Sequence, residues 1–504
     1  MVTVTASATQ SFDGWMQGPA EVGAGPLIAR VYLRALALVV LIAWLSLGAQ
    51  LEVLIGSNGL LPWFQAMQVL QQRHVPFWSF PSVLRLVQTD SGLWIFWSAG
   101  MLSALLALLA PPSVTPSATP RVLLPISGAL YSGFVIAGRT FFTFQWDNLL
   151  LESCLLAAFL PTDKPARWAR LLFKILLFKL YWESGLAKWQ SGAHDWQDGS
   201  AMEHYYETAP LPGPLGWYAH HLPIGWHHFE SWATLVVELV TPLFAFGPRK
   251  LRLVAFASLT FFQLINLATA NYGFFVYLAL TLHLFLLDDS DVPALVRRWL
   301  EPKKDATPNR WRVWLETPNG LWLRRIGAPL VLTVYAGTSL VEGLFNFAPG
   351  WVPSSAHVLL VLASPLPLVN NYHLFGSITT ERIEPEFQTW DGQSWTAHDL
   401  HHKPGEVTRL PDLVAPHQPR VDFSLWFYGL RTNSSPEYVV RLLRQMCQQP
   451  HAVQPLFREP LPERPKAVKV VFWQYHFSTP EQRRETKAWW QREELGDGPQ
   501  LSCP

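Results

Sequence analysis

Nine apolar runs, at 31–51, 92–110, 122–138, 141–160, 171–187, 233–246, 253–270, 273–287 and 326–345, leave this chain little choice but a bilayer. A soluble core cannot bury so many long apolar segments, and the rest of the composition offers no polar shell to cover them. Only 15% of the residues are charged and 50% are hydrophobic, where soluble chains carry about 25% charge. The sequence therefore predicts a polytopic α-helical membrane protein with about nine transmembrane helices. Several runs fall short of the roughly 20 residues of a straight spanning helix, which predicts breaks or partial spans. The stretch 356–369, with Pro365 and Pro367, reads as an interfacial or re-entrant piece. Residues 1–30 are small and polar, with no basic segment ahead of an apolar core. They read as a cytoplasmic segment rather than a cleaved leader, followed by an uncleaved anchor at Val31–Leu51.

Sidedness follows from parity, because short cytoplasmic loops concentrate Lys and Arg. With nine crossings between 31 and 370, one side collects Arg30, Arg34, Arg121, Lys164, Arg167, Arg170, Arg249, Lys250 and Arg252, then Arg297, Arg298, Lys303, Lys304, Arg324 and Arg325. The other side receives Arg73, Arg85 and Lys188 from its loops. This predicts a cytoplasmic amino terminus and puts loops 52–91 and 188–232, with everything after 346, on the far side.

From about 371 to 504 the apolar runs give way to a mixed pattern that predicts a C-terminal α+β non-cytoplasmic domain. Two short strands should meet at Asp391-Gly392, a pair that tolerates positive φ. A helix is expected over Pro436–Gln449, a strand over Lys466–Phe477 and a charged amphipathic helix over Pro480–Glu494. Of the three cysteines, Cys154, Cys447 and Cys503, only the last two are candidates to pair, and spacing does not decide it. There is no C-x-x-C, hence no dithiol or zinc motif. Asn433-Ser434-Ser435 is a glycosylation sequon.

Ionisable residues within apolar runs need partners or a purpose. In one run Asn148 and Glu152 stand four apart on one helix face, with Gln145 seven before Glu152 and Asp147 nearby; in the next Lys179 and Glu183 stand four apart, between Lys174 and Lys188. One reading is structural: Asp147 or Glu152 pairs with a lysine of the adjacent helix, forming an intramembrane polar network of Gln145, Asp147, Glu152 and Lys179. The other is chemical: a desolvated amine such as Lys188 acts as a base in a proton-active or ligand-binding site at the membrane boundary. His194, His204, His220, His221, His227 and His228 show no metal-ligand spacing, so no metal is expected. A net charge of +1 argues against a nucleic-acid partner. No hydrolase elbow, phosphate loop or dinucleotide fingerprint is present.

Several blocks resemble the lipase maturation factor family. They are F-T-F-Q-W-D-N-L-L-L-E-S at 142–153, S-G-L-A-K-W-Q-S-G at 184–192, H-Y-Y-E-T-A-P-L-P-G-P-L-G-W-Y-A-H-H-L-P at 204–223, E-L-V-T-P at 238–242 and A-N-Y-G-F-F at 270–275. In the tail they continue as T-T-E-R at 379–382, K-P-G-E at 403–406, A-P-H-Q-P-R-V-D at 415–422 and W-F-Y-G-L at 426–430. The resemblance implies a chaperone-like membrane factor without cofactor, which helps secreted clients, lipases among them, to fold and assemble. It would sit in the endoplasmic reticulum membrane of a eukaryote or the inner membrane of a bacterium, in contact with lipid. Under it, Trp196, Tyr205, Trp217, Trp390 and Trp426 are expected to be exposed and to hold the client. The block around Lys188 is also distantly similar to vitamin K-dependent γ-carboxylases. That similarity implies an alternative, a membrane enzyme acting on a lipid-soluble cofactor with Lys188 and Glu183 as its catalytic residues and His194 beside them in the pocket.

Overall fold

The computed structural model describes residues 25–77, 82–87, 89–110, 118–162, 167–300, 327–356, 358, 360 and 369–504. Lys164, Lys303, Lys304, Arg324, Arg325, the proposed re-entrant prolines Pro365 and Pro367, and residues 1–24 lie outside the described residues. Each of the nine apolar runs contains a helix: α1 Pro26–Gly48, α2 Asp90–Leu109, α3 Ala118–Gly138, α4 Gln145–Ala157, α5 Arg167–Trp189, α6 Ile224–Leu239, α7 Arg249–Thr269, α8 Phe275–His283 and α9 Ala328–Phe347. Helix is the expected answer, since in hydrocarbon each backbone N–H and C=O must be satisfied within its own segment. Among the described residues five segments are long and apolar enough to cross a membrane, namely Pro26–Gly48, Asp90–Leu109, Pro120–Phe142, Ile224–Phe246 and Arg249–Thr269. At 13 residues, α4 reaches about 20 Å, against a hydrocarbon core of about 30 Å.

Hydrogen bonds tie the inter-helix loops into two groups at opposite helix ends. At one end arginine side chains bridge to carbonyl groups and carboxylates. Arg30 donates to Thr162 O and Leu300 O, Arg34 to Ala110 O and Arg121 to Ala158 O. Arg170 and Arg252 share Asp288 at 3.4 and 2.6 Å. At the other end the segments 46–58, 139–147, 195–217 and 271–272 all touch the C-terminal domain. The region expected as the loop 188–232 is itself structured, with short helices at Asp195–Asp198, Ala201–Thr208 and Gly216–His220, and α6 already begins at Ile224.

The C-terminal domain is built on a four-stranded antiparallel sheet of order β2-β1-β3-β4. Its strands are β1 Arg382–Trp390, β2 Trp395–His398, β3 Ala467–Phe477 and β4 Trp490–Ser502, and its helices are α10 Arg420–Gly429, α11 Glu437–Gln448 and α12 Pro480–Thr486. The β1–β2 turn falls at Asp391-Gly392 as expected, with Gly392 at φ 109°, a value that a side chain would disfavour. α10 packs so closely on β1 that a Cβ on Gly429 would lie 2.1 Å from Ile383 O. Cys447 and Cys503 form a disulfide that fastens α11 to the end of β4.

One element differs from the sequence reading. The helix expected over Pro480–Glu494 stops at Thr486, and β4 follows. A capping box of Thr479 and Gln482 starts the helix, while Lys487 at φ 63° ends it. Beyond that point β3 offers an open edge, and ten registered pairs from Phe477↔Trp490 to Ala467↔Ser502 outweigh the helical preference of Gln-Arg-Glu-Glu-Leu.

Candidate functional site: the junction of tail and membrane helices

The chain leaves the membrane helices through a strap at 370–378, and the ionisable residues of α4 and α5 bind it. Lys179 and Glu183 lie one turn apart on the buried face of α5, as a four-residue spacing requires. Glu152 accepts from Lys179 Nζ at 3.3 Å and Tyr335 OH at 2.5 Å through one oxygen, and from Tyr372 OH at 2.7 Å and Asn370 Nδ2 at 3.2 Å through the other. Glu183 accepts from the strap backbone at Tyr372 N, 2.9 Å. Ser184 Oγ receives Leu374 N at 3.4 Å, and Gln145 Oε1 receives His373 N at 2.9 Å. Lys188 Nζ sits 2.8 Å from Glu238 Oε2 on α6 and donates to Leu374 O at 2.8 Å, over the Trp196 ring. Trp196 Nε1 in turn donates to Phe375 O and Asp195 accepts from Ile378 N.

A second cluster holds the tail itself. Asp147, fully buried, receives Arg420 at both oxygens, 2.7 and 2.8 Å. The same guanidinium donates to Phe141 O and Tyr131 OH and lies 3.8 Å over the Phe142 ring. Gln50 of the α1 end accepts from Arg420 N and donates to Gln418 O, and Ser46 Oγ accepts from Gln418 N. Asn271 bridges Pro212 O, Asp412 O, Val414 N and Ala415 N. Arg382 and Lys403 flank the buried Glu384 at 2.6 and 2.8 Å, and both donate to carbonyl groups of 207–210. Burial lowers Lys403 to about 8 and raises Asp422 to about 6. It also holds His402, His417 and His220 down to about 4, in the last case against the pull of Glu207.

Of the four residues expected to form one intramembrane network, the structure brings Glu152 and Lys179 together, while Gln145 accepts from the strap backbone and Asp147 lies in the second cluster. Glu152 does pair with the lysine of the adjacent helix, whereas Asp147 pairs with an arginine 273 residues away. Lys188 and Glu183 do not contact one another; each serves the strap separately. His194 occupies a left-handed position at the start of Asp195–Asp198 rather than joining Lys188. Trp196, Tyr205 and Trp217 are corrected from exposed to buried, at 2%, 6% and 7% exposure. Each indole or phenol finds an internal partner: Phe375 O, Tyr272 OH and Ser478 O. Trp390 and Trp426 are half-buried, and Trp426 Nε1 donates to Thr208 O. Among the described residues no group of His, Cys, Asp and Glu is placed to hold a metal ion. Sequence reasoning missed Arg420, Glu238, Asn271 and Tyr372. Three of these lie inside motifs that carried the resemblance or beside them, and only their buried charge or amide in an otherwise apolar setting could have pointed to them.

This arrangement defines a class: a polytopic helical membrane protein whose sheet-containing C-terminal domain is fastened to the helix ends by buried ion pairs. Family models agree in both halves, with the lipase maturation factor transmembrane domain matching residues 27–294 and the lipase maturation factor C-terminal domain matching 368–498. The chain belongs to the lipase maturation factor family. It is similar to lipase maturation factor 2 of Homo sapiens, 28% identical over 92% of this chain and 81% of the relative. It is likewise similar to lipase maturation factor 1 of Bos taurus, 29% identical over 95% and 90%. No solved structure gives a significant match.

Proposed function

We propose that this chain is a membrane-embedded maturation factor that assists the folding and assembly of secreted proteins, lipases in particular, on the face that carries its tail. The observation that carries the reading is the use made of Lys188. Its ammonium is engaged at 2.8 Å by both Glu238 and Leu374 O, with the residue 2% exposed. A general base must reach the proton that it abstracts, and here those positions are occupied by the protein's own acceptors. This counts against the enzyme alternative and supports a structural platform that presents the tail domain. The tail's disulfide supports an oxidising compartment, and the arginine-rich opposite helix ends support a cytoplasmic face there. Together they favour a cytoplasmic amino terminus, with the tail lumenal in an endoplasmic reticulum membrane or periplasmic in a bacterial one. The client surface is the tail and its rim rather than Trp196, Tyr205 and Trp217.

The test is a pair of variants assayed for yield of active, co-expressed secreted lipase. Lys188→Ala strands Glu238 and lowers both the amount of folded protein and lipase maturation. Lys188→Met with Glu238→Leu, which removes both charges, restores both readouts. A double variant that is folded and stable yet inactive would return Lys188 to a chemical role.

A further inference from the structure

The sheet order leaves β4 at an edge, and no strand lies on its outer side among the described residues. The opposite edge, β2, has only 4 residues, whereas β4 has 13. In an antiparallel ladder alternate residues direct their N–H and C=O groups away from the paired neighbour, so an unpaired edge is a template for another chain. The two ends of β4 are covered. Trp489 and Trp490 N–H donate to Val407 O, and the Cys447–Cys503 disulfide closes the far end. Between them Gln491, Arg492, Glu493, Glu494 and Leu495 are all exposed, directly after the buried Trp490. The ladder is interrupted at Leu495, between the pairs Trp473↔Glu494 and Phe472↔Gly496, and again between Val471↔Asp497 and Lys469↔Gln500, which limits the regular open stretch to Gln491–Glu494, about 14 Å.

Charge selects the occupant. Arg492 is bound by Glu386 at 2.7 Å, and Asp497 by Lys469 at 2.6 Å. Glu493 and Glu494 have no ion pair among the described residues, so the open edge is acidic. An extended segment carrying Lys or Arg would gain both the main-chain hydrogen bonds of strand addition and the complementary charge.

We propose that the outer edge of β4 at Gln491–Glu494 docks an extended, basic segment of an incompletely folded polypeptide, which joins the sheet as a fifth strand. The proposal rests on the maturation-factor reading and names its mode of client contact. Folded proteins have their strands paired internally, so this edge favours chains that have yet to fold.

The test uses the full chain in detergent and a fluorescein-labelled decapeptide of alternating Val and Lys, followed by anisotropy. Saturable binding is expected, weakened at least tenfold by Glu493→Lys with Glu494→Lys and at least tenfold by N-methylation of alternate peptide amides. Both substitutions are on exposed side chains, and an unchanged urea midpoint of the tail verifies its fold. Binding that survives N-methylation, or charge reversal with affinity within twofold of the original, overturns the proposal. Co-purification with a co-expressed secreted lipase separates the two readings. If the parent protein captures the lipase and the charge-reversed variant captures it equally, the edge is excluded while the maturation reading stands. If peptide binding behaves as expected but the parent never captures the lipase, the edge stands and the maturation reading falls.

Discussion

Replacing Arg420 with Ala should loosen the tail from the membrane helices more than any other single truncation in that domain. The side chain is 1% exposed and meets both oxygens of Asp147, Phe141 O and Tyr131 OH within 2.8 Å. Its removal leaves the Asp147 carboxylate buried with Tyr131 OH at 2.8 Å as its remaining side-chain donor. Breaking one half of a buried ion pair costs about 3–5 kcal/mol, equivalent to roughly a hundredfold to several thousandfold in an equilibrium constant. Asp147→Leu alone should cost a similar amount, but Arg420→Met with Asp147→Leu should cost much less than the two single losses together. Cys154 supplies the assay: it is the free cysteine, it is buried on α4, and Asp147 lies on the same helix. When local opening equilibrates faster than the thiol reacts, the labelling rate follows the open population. Labelling of the Arg420→Ala protein should therefore be at least about a hundred times faster than that of the parent. A rate within threefold of the parent, or a double variant whose loss equals the sum of the singles, would refute the claim that this pair holds the junction.

Other consequences can be measured on the same preparation. Because burial holds His220, His402 and His417 near 4, below their ordinary 6.5, the native state resists their protonation. That contribution is fully present above about pH 6.5 and is lost as pH falls toward 4, while Asp422, raised to about 6, opposes it with a smaller share. The urea midpoint of the tail should fall over this window, and His417→Gln should flatten the fall. Cys447→Ser opens a crosslink spanning 56 residues and should lower tail stability by about 2–4 kcal/mol, read as a shift in that midpoint that reductant produces equally in the parent. Gly429→Ala places a methyl 2.1 Å from Ile383 O, so it should destabilise by about 1–3 kcal/mol with a matching drop in folded yield; a neutral effect would show that α10 and β1 are less tightly packed than described.

What the sequence by itself determined is local. A helix within each of the nine apolar runs, five of them in segments long and apolar enough to cross a membrane among the described residues, the turn at Asp391-Gly392, α11 and β3 appear where periodicity and turn chemistry placed them, because each depends on residues a few positions apart. The gathering of arginines at one set of helix ends was legible for the same reason, as was family membership from its ordered motifs. Tertiary structure decided the partners. Asp147 reaches Arg420, Lys188 reaches Glu238 and Glu183 reaches the Tyr372 backbone, choices that depend on how helices and strap register across tens to hundreds of residues. It also buried Trp196, Tyr205 and Trp217, since an aromatic that looks available in a loop becomes core once another domain settles on that loop. The fate of 490–494 is the clearest case: expected as the end of a helix, it became the start of β4 because the open edge of β3 had more hydrogen bonds and contacts to offer than an isolated short helix.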